Sequence, residues 1–146
     1  MAPHTAPDKP RSVLFACNEN SIRSPMAEAL AKAYFKRRIF VASTGVIAGH
    51  LDPFAVEAMR LIGIDISGHQ PRSFNDVEER EFSLIISLTP EAQHHSVELT
   101  RHSDAQVEYW PSFDPTIIEG SRETRLNAYI QVRDTLRKRI IERFNF

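Results

Sequence analysis

The sequence predicts an α/β fold: a single domain in three α/β/α layers around a four-stranded parallel sheet. Three observations carry this. Short apolar runs alternate with amphipathic stretches in the order β-α-β-α-β-α-β-α, which implies parallel strands with helices on both faces. The run FSLIISL at 82–88 is almost wholly apolar, as a central parallel strand buried on both sides should be. The 146 residues suffice for one hydrophobic core, and they contain no internal repeat, low-complexity tract or second-domain linker.

Met1 to Arg11 is polar and holds three prolines, so residues 1–11 are expected to be a mobile tail, with 12–146 as the domain. Val13 to Ala16 is the first strand. A helix is expected from about Ser24 to Arg38. Pro25 sits in its first turn, where the missing N–H costs nothing, and Met26, Leu30, Ala33 and Tyr34 share one face. Ile39 to Ala42 is a second strand, and Ser43-Thr44-Gly45 reads as the loop after it. Asp52-Pro53 opens a second helix with Ala55, Met59 and Ile62 as its stripe, and Gly63 ends it. After the central strand, Thr89-Pro90 caps a third helix that runs to about Thr100. Gln106 to Tyr109 is the fourth strand and leads into a loop from Trp110 to Gly120. Ser121 then caps a long final helix with Leu126, Tyr129, Ile130, Leu136 and Ile140 as its apolar stripe. Arg137-Lys138-Arg139 reads as a solvated helix end.

Composition narrows the classes of function. A 42% hydrophobic and 25% charged chain is an ordinary soluble protein by its residue content. The net charge of −1 gives no bulk drive toward nucleic acid or membrane, so neither partner is expected. No apolar run approaches the roughly 20 residues a transmembrane helix needs, and the N-terminus has no signal-peptide pattern. A single cysteine cannot form an internal disulfide, which agrees with a reducing, cytoplasmic setting. His94, His95 and His102 do not make a metal site: adjacent histidines on a helix diverge, and no carboxylate or cysteine stands at ligand spacing. No metal or cofactor is expected.

The lone cysteine stands where chemistry is expected. The stretch from Ser12 to Leu30, SVLFACNENSIRSPMAEAL, is a buried strand, then Cys17, then a loop, then a helix starting near Arg23 and Ser24. A helix N-terminus offers unpaired amides and the positive end of its dipole to an anion. Arg23 adds a planar two-pronged donor, and the same field favours the thiolate of Cys17, the nucleophilic form.

Cys17, five residues, Arg23 and Ser24 between a strand and a helix, together with Pro25-Met26-Ala27-Glu28 and the late pair Asp114-Pro115, resemble the low-molecular-weight protein tyrosine phosphatase family. That family includes thioredoxin-linked arsenate reductases of the same fold. The resemblance covers roughly Val13 to Ile140 and implies flavodoxin-like strand order with a phosphate-binding loop after the first strand. It implies Cys17, Arg23 and Asp114 as catalytic residues: Cys17 to attack phosphorus and form a thiophosphate, Arg23 to bind two oxygens, Asp114 to act as general acid and then base. Asn18, Glu19, Asn20, Ser21, Ile22, Arg23 and Ser24 would form the phosphate cradle, the side chains of Asn18 to Ile22 outward and their amides inward. Ser24 would hydrogen-bond the Cys17 sulfur; read alone, it is also a plain N-cap. Asn20 tolerates the left-handed backbone of a tight cradle, and Ser43 and His69 match residues that brace that Asn.

Three departures from the family pattern bear on function. Glu19 stands where most members carry glycine, and Ile22 where many carry a second cysteine. The aromatic residues of tyrosine-specific members are replaced by Thr116-Ile117-Ile118 and by Val46-Ile47-Ala48-Gly49-His50. Glu19 should face outward near the rim, braced against Arg72 or acting as a brake or selector on substrates. The expected activity is hydrolysis of a phosphomonoester, on a phosphorylated protein or a small aryl phosphate, with phosphate or sulfate able to occupy the site. The alternatives are an arsenate reductase using an external small thiol and a non-catalytic module that binds phosphate or a phosphorylated partner.

Overall fold

The structure is a computed structural model that describes residues 10–36, 38–77 and 82–145. Residues 1–9 of the expected tail lie outside them, while Arg11 is tied to the sheet: its N–H donates to Ser83 Oγ (3.1 Å) and its carbonyl accepts from Phe40 N–H (3.2 Å).

Strands β1 (Ser12–Cys17), β2 (Phe40–Gly45), β3 (Leu84–Ser87) and β4 (Gln106–Tyr109) form one parallel sheet in the order β2-β1-β3-β4. Helices α1 (Arg23–Phe35), α2 (Pro53–Arg60), α3 (Pro90–Leu99) and α4 (Arg122–Arg143) cover it. From β1 the chain crosses through α1 to the neighbour on one side; from β3 it crosses through α3 to the neighbour on the other. Right-handed crossovers in opposite directions put the two helices on opposite faces. Strand alternation does the rest. Val13, Phe15 and Cys17 pack into the core beneath α1, α2 and α4, whereas Leu14 and Ala16 pack with Ala92 of α3 and with Phe74. The strand order reverses between β1 and β3, where open α/β sheets place their ligands, beyond the strand C-termini.

Most elements lie where the sequence puts them, with four differences. β2 continues through Ser43, Thr44 and Gly45, which the sequence reads as a loop. Ser43 and Thr44 are fully buried beside Phe15 and Ala16, and their hydroxyls are bonded to Glu28 and to the Arg72 carbonyl. α1 ends at Phe35, with Lys36 left-handed at φ 53°, so it stops short of Arg38. On α1 the inward residue is Phe35, and Ala33 is exposed. The Arg137-Lys138-Arg139 run is not the helix end; α4 continues to Arg143, and the Arg139 guanidinium lies 4.8 Å from the Trp110 ring centre. No helix among the described residues is long and apolar enough to cross a membrane.

Candidate active site

Cys17 is the last residue of β1 and is 2% exposed. The loop from Asn18 to Ile22 turns its carbonyls outward. Cys17, Asn18, Glu19 and Ser21 accept from the N–H groups of Val46 (3.0 Å), Ile47 (2.9 Å), Gly49 (2.9 Å) and Asp52 (3.1 Å), and Ile22 accepts from Met26 in α1 (3.1 Å). No amide from Asn18 to Ile22 donates a hydrogen bond to another of the described residues. A turn with its carbonyls engaged on one side and its amides free on the other is a nest for an anion. α1 begins at its edge with Ile22 as N-cap and no side-chain acceptor, so the positive end of the helix is open toward the loop. Close backbone approach is what places Gly45 here: a Cβ on it would lie 2.6 Å from Asn20 N.

Asn20 holds the turn. It is fully buried at φ 56°, a left-handed conformation that asparagine tolerates. Its Nδ2 donates to Ser24 Oγ (2.8 Å) and Ser43 Oγ (2.9 Å); its Oδ1 lies 2.9 Å from His69 Nε2 and accepts from Arg72 N–H (3.0 Å). Ser43 Oγ donates in turn to Glu28 Oε1 (2.5 Å), whose other oxygen meets Lys32 Nζ (2.5 Å). Because Glu28 accepts only, it fixes the Ser43 hydroxyl as donor to it and acceptor from Asn20. Burial pushes His69 toward its neutral form, which the nearby Glu28 only partly opposes. The neutral ring then donates from Nε2 to Asn20 Oδ1. Ser24 is not the N-cap of α1: it lies inside the first turn, and its Oγ is 2.9 Å from Cys17 Sγ and 3.2 Å from the Thr44 carbonyl.

A cleft of about 310 Å³ opens over the sulfur, lined by Cys17, Asn18, Glu19, Ser21, Ile22, Arg23, His50, Leu51, Asp52, Pro53, Asp114 and Thr116. Arg23 enters it with Nη1 donating to the Ser112 carbonyl (2.9 Å), while its Nε is buried with no partner among the described residues. Asp114 caps a short 3-10 turn, accepting from Thr116 N (3.0 Å) and Thr116 Oγ1 (2.7 Å). Partial burial pushes its carboxyl up, but the two Thr116 bonds and the Arg23 charge outweigh this and hold it below the ordinary carboxylate value.

The sequence-predicted residues Cys17, Asn18, Glu19, Ser21, Ile22, Arg23 and Asp114 therefore line one cleft, and Asn20, Ser24, Ser43 and His69 lie behind it. Arg72 does not brace Glu19: its Nε donates to the Ser43 carbonyl (3.0 Å), and no Glu19 ion pair occurs among the described residues. Four contributors escape a sequence reading. Glu28 follows Ser24 by one helical turn, a spacing that puts both on one face. Thr89 is legible as a cap, yet its hydroxyl also donates to Asn18 Oδ1 (2.6 Å). Asp52 caps α2 and also accepts from Tyr129 OH (2.8 Å), which ties the cleft to α4. Ser112 contributes only its carbonyl. Phe54, next to the lining residue Pro53, packs its ring against Tyr129 (centroids 5.2 Å apart), and the Arg125 guanidinium lies 4.8 Å from its centre.

Comparison with known proteins agrees with this fold. Residues 12–142 match the family described as low molecular weight phosphotyrosine protein phosphatase. An arsenate reductase of Bacillus subtilis (strain 168) is 32% identical over 130 residues, covering 89% of this chain and 92% of that protein. An arsenate reductase structure in the phosphate binding state superposes with a TM-score of 0.76 at 27% identity, over 90% of this chain and 95% of that one. The YwlE arginine phosphatase, as a mutant with a phosphorylated active site serine, superposes at 0.72 and 27% identity, over 88% and 90% of the two chains. With the match running from the first strand almost to the end of α4, the chain belongs to the low molecular weight phosphotyrosine protein phosphatase family.

Proposed function

We propose that the chain hydrolyses phosphomonoesters through a cysteine nucleophile and a thiophosphate intermediate, acting on a phosphorylated protein or a small aryl phosphate. The observation that supports this most is the loop itself: its carbonyls face outward, its amides are free, and the Cys17 sulfur stands beneath it with Arg23 and Asp114 in the same cleft. Three phosphoryl oxygens are bound by loop amides and the Arg23 guanidinium, whose buried Nε gains an acceptor. The Cys17 thiolate attacks phosphorus as the ester P–O bond breaks, and Asp114 gives its proton to the leaving oxygen. A water then attacks the phosphorus of the thiophosphate, Asp114 takes the water's proton, and the P–S bond breaks to return the thiolate, phosphate leaving. Ser24 donates to the departing sulfur, which eases that second step. Thr116 and Arg23 favour the ionised form of Asp114; a bound phosphate dianion opposes that charge and favours the protonated acid the first step needs.

The arsenate reductases among the relatives favour a second reading, since arsenate has the shape and charge of phosphate. Cys17 is the one cysteine in 146 residues, so an internal disulfide relay is excluded and the reductant would be an external small thiol. One assay set separates these. The proposal expects para-nitrophenyl phosphate hydrolysis by the wild type and none by Cys17→Ser, with no arsenate-dependent consumption of a small thiol. Thiol consumption without hydrolysis assigns the reductase, and phosphate binding with neither activity assigns a non-catalytic phosphate-binding module.

A further inference from the structure

We propose that Glu19 is a specificity-determining residue that steers the cleft toward phosphorylated peptides carrying a basic side chain beside the phosphorylated residue. The inference rests on the phosphatase reading above. Glu19 is exposed and lines the same cleft as Cys17 and Arg23. A carboxylate on the rim of an anion nest repels a phosphate dianion unless a cation arrives with it. Among the described residues none supplies that cation: no ion pair to Glu19 occurs there, Arg72 turns its Nε to the Ser43 carbonyl, and Arg23 turns Nη1 to the Ser112 carbonyl.

The side chain has a built seat. Gly49 donates its N–H to the Glu19 carbonyl (2.9 Å), and a Cβ on Gly49 would lie 2.6 Å from Glu19 Oε1 and 2.9 Å from Glu19 Cβ. A side chain at 49 would collide with Glu19, so glycine there leaves the room in which the Glu19 side chain lies. The lining of the cleft contains no Phe, Tyr or Trp. What Glu19 brings to this rim is charge. Two unit charges about 6 Å apart differ from an uncharged pair by roughly threefold in bulk water and roughly 100-fold at an effective dielectric of about 20.

The test uses two phosphotyrosine peptides that differ only in having Arg or Glu beside the phosphotyrosine, and an aminoalkyl phosphate that carries a cation without a peptide. kcat/KM is measured for the wild type and Glu19→Gln at low and high salt, and peptide dissociation constants for Cys17→Ser with and without Glu19→Gln. The wild type is expected to prefer the Arg peptide by roughly 3- to 100-fold at low salt. The preference should shrink at high salt and largely vanish in Glu19→Gln. A peptide preference that Glu19→Gln leaves unchanged overturns the proposal, as does one confined to the aminoalkyl phosphate, or the absence of both binding and hydrolysis. If the wild type hydrolyses neither peptide while Cys17→Ser shows the Glu19-dependent binding preference, the phosphatase reading falls and the role of Glu19 stands.

Discussion

Ser24 Oγ lies 2.9 Å from Cys17 Sγ, and Asn20 Nδ2 donates to that same hydroxyl at 2.8 Å. With one lone pair of Ser24 taken by Asn20, its proton is directed to the sulfur or to the more distant Thr44 carbonyl at 3.2 Å. A thiolate is the stronger acceptor of the two, and a hydrogen bond to a charged group is worth about 1.5–3 kcal/mol. Ser24→Ala should therefore lower kcat by about 10- to 100-fold with a smaller change in KM, and slow breakdown of the thiophosphate more than its formation. Pre-steady-state kinetics with para-nitrophenyl phosphate check this; an unchanged kcat would remove Ser24 from the account.

Asp114 gives a pH prediction. Thr116 and Arg23 hold its free-enzyme pKa below the ordinary value, against the upward push of burial. If the protonated form is the acid, activity falls as pH rises through that pKa, so the basic limb of kcat/KM for the wild type is set low. Thr116→Val removes the side-chain bond and raises the Asp114 pKa; the basic limb should move to higher pH. Asp114→Asn should remove that limb and slow turnover by roughly 10²- to 10⁴-fold, most for poor leaving groups. A wild-type rate with a poor leaving group would reject Asp114 as the acid.

Asn20 should be the most costly residue of the loop to replace. Asn20→Ala keeps the left-handed backbone without a side chain suited to it, at roughly 1–2 kcal/mol, and strips partners from Ser43, His69 and the Arg72 amide. Asn20→Gly relieves the backbone and loses the same bonds. Thermal unfolding should fall in both and further in Asn20→Ala, with phosphate inhibition weakened in both. Unchanged phosphate inhibition in Asn20→Gly would mean the bonds do not shape the cradle.

With Ile22 five residues on and no other cysteine in the chain, oxidised Cys17 has no internal partner for a disulfide. Peroxide should drive it past sulfenic acid to forms that a thiol cannot reverse, unless a small thiol is present to cap it first. Intact mass and residual activity report this, and full recovery without added thiol would contradict it.

The fold was legible because its signals are local. The FSLIISL run, the Asp52-Pro53 and Thr89-Pro90 caps and the Ser121 cap each lie within a few residues of what they determine. The end of β2 was not: Ser43 and Thr44 look like loop residues until Glu28, Asn20 and the Arg72 carbonyl are brought to their hydroxyls from other parts of the chain. The same reason separates the site residues. Cys17, Arg23 and Asp114 follow from spacing and resemblance, whereas Glu28, Ser112 and the Asp52–Tyr129 link act through contacts that only the folded chain makes. The apolar spacing points Ala33 inward, but Phe35 takes that place, its ring packed against Tyr34 and Phe144.

Transfer of phosphorus to the sulfur of Cys17 is the step on which the proposed activity depends. Rapid acid quench of the wild type during para-nitrophenyl phosphate turnover, followed by mass spectrometry of the peptide that contains Cys17, tests it directly. A phosphorylated Cys17 is expected to accumulate within the first turnover and to be longer-lived in Ser24→Ala. Turnover with no phosphorylated Cys17 at any quench time, or turnover that survives Cys17→Ala, would contradict it.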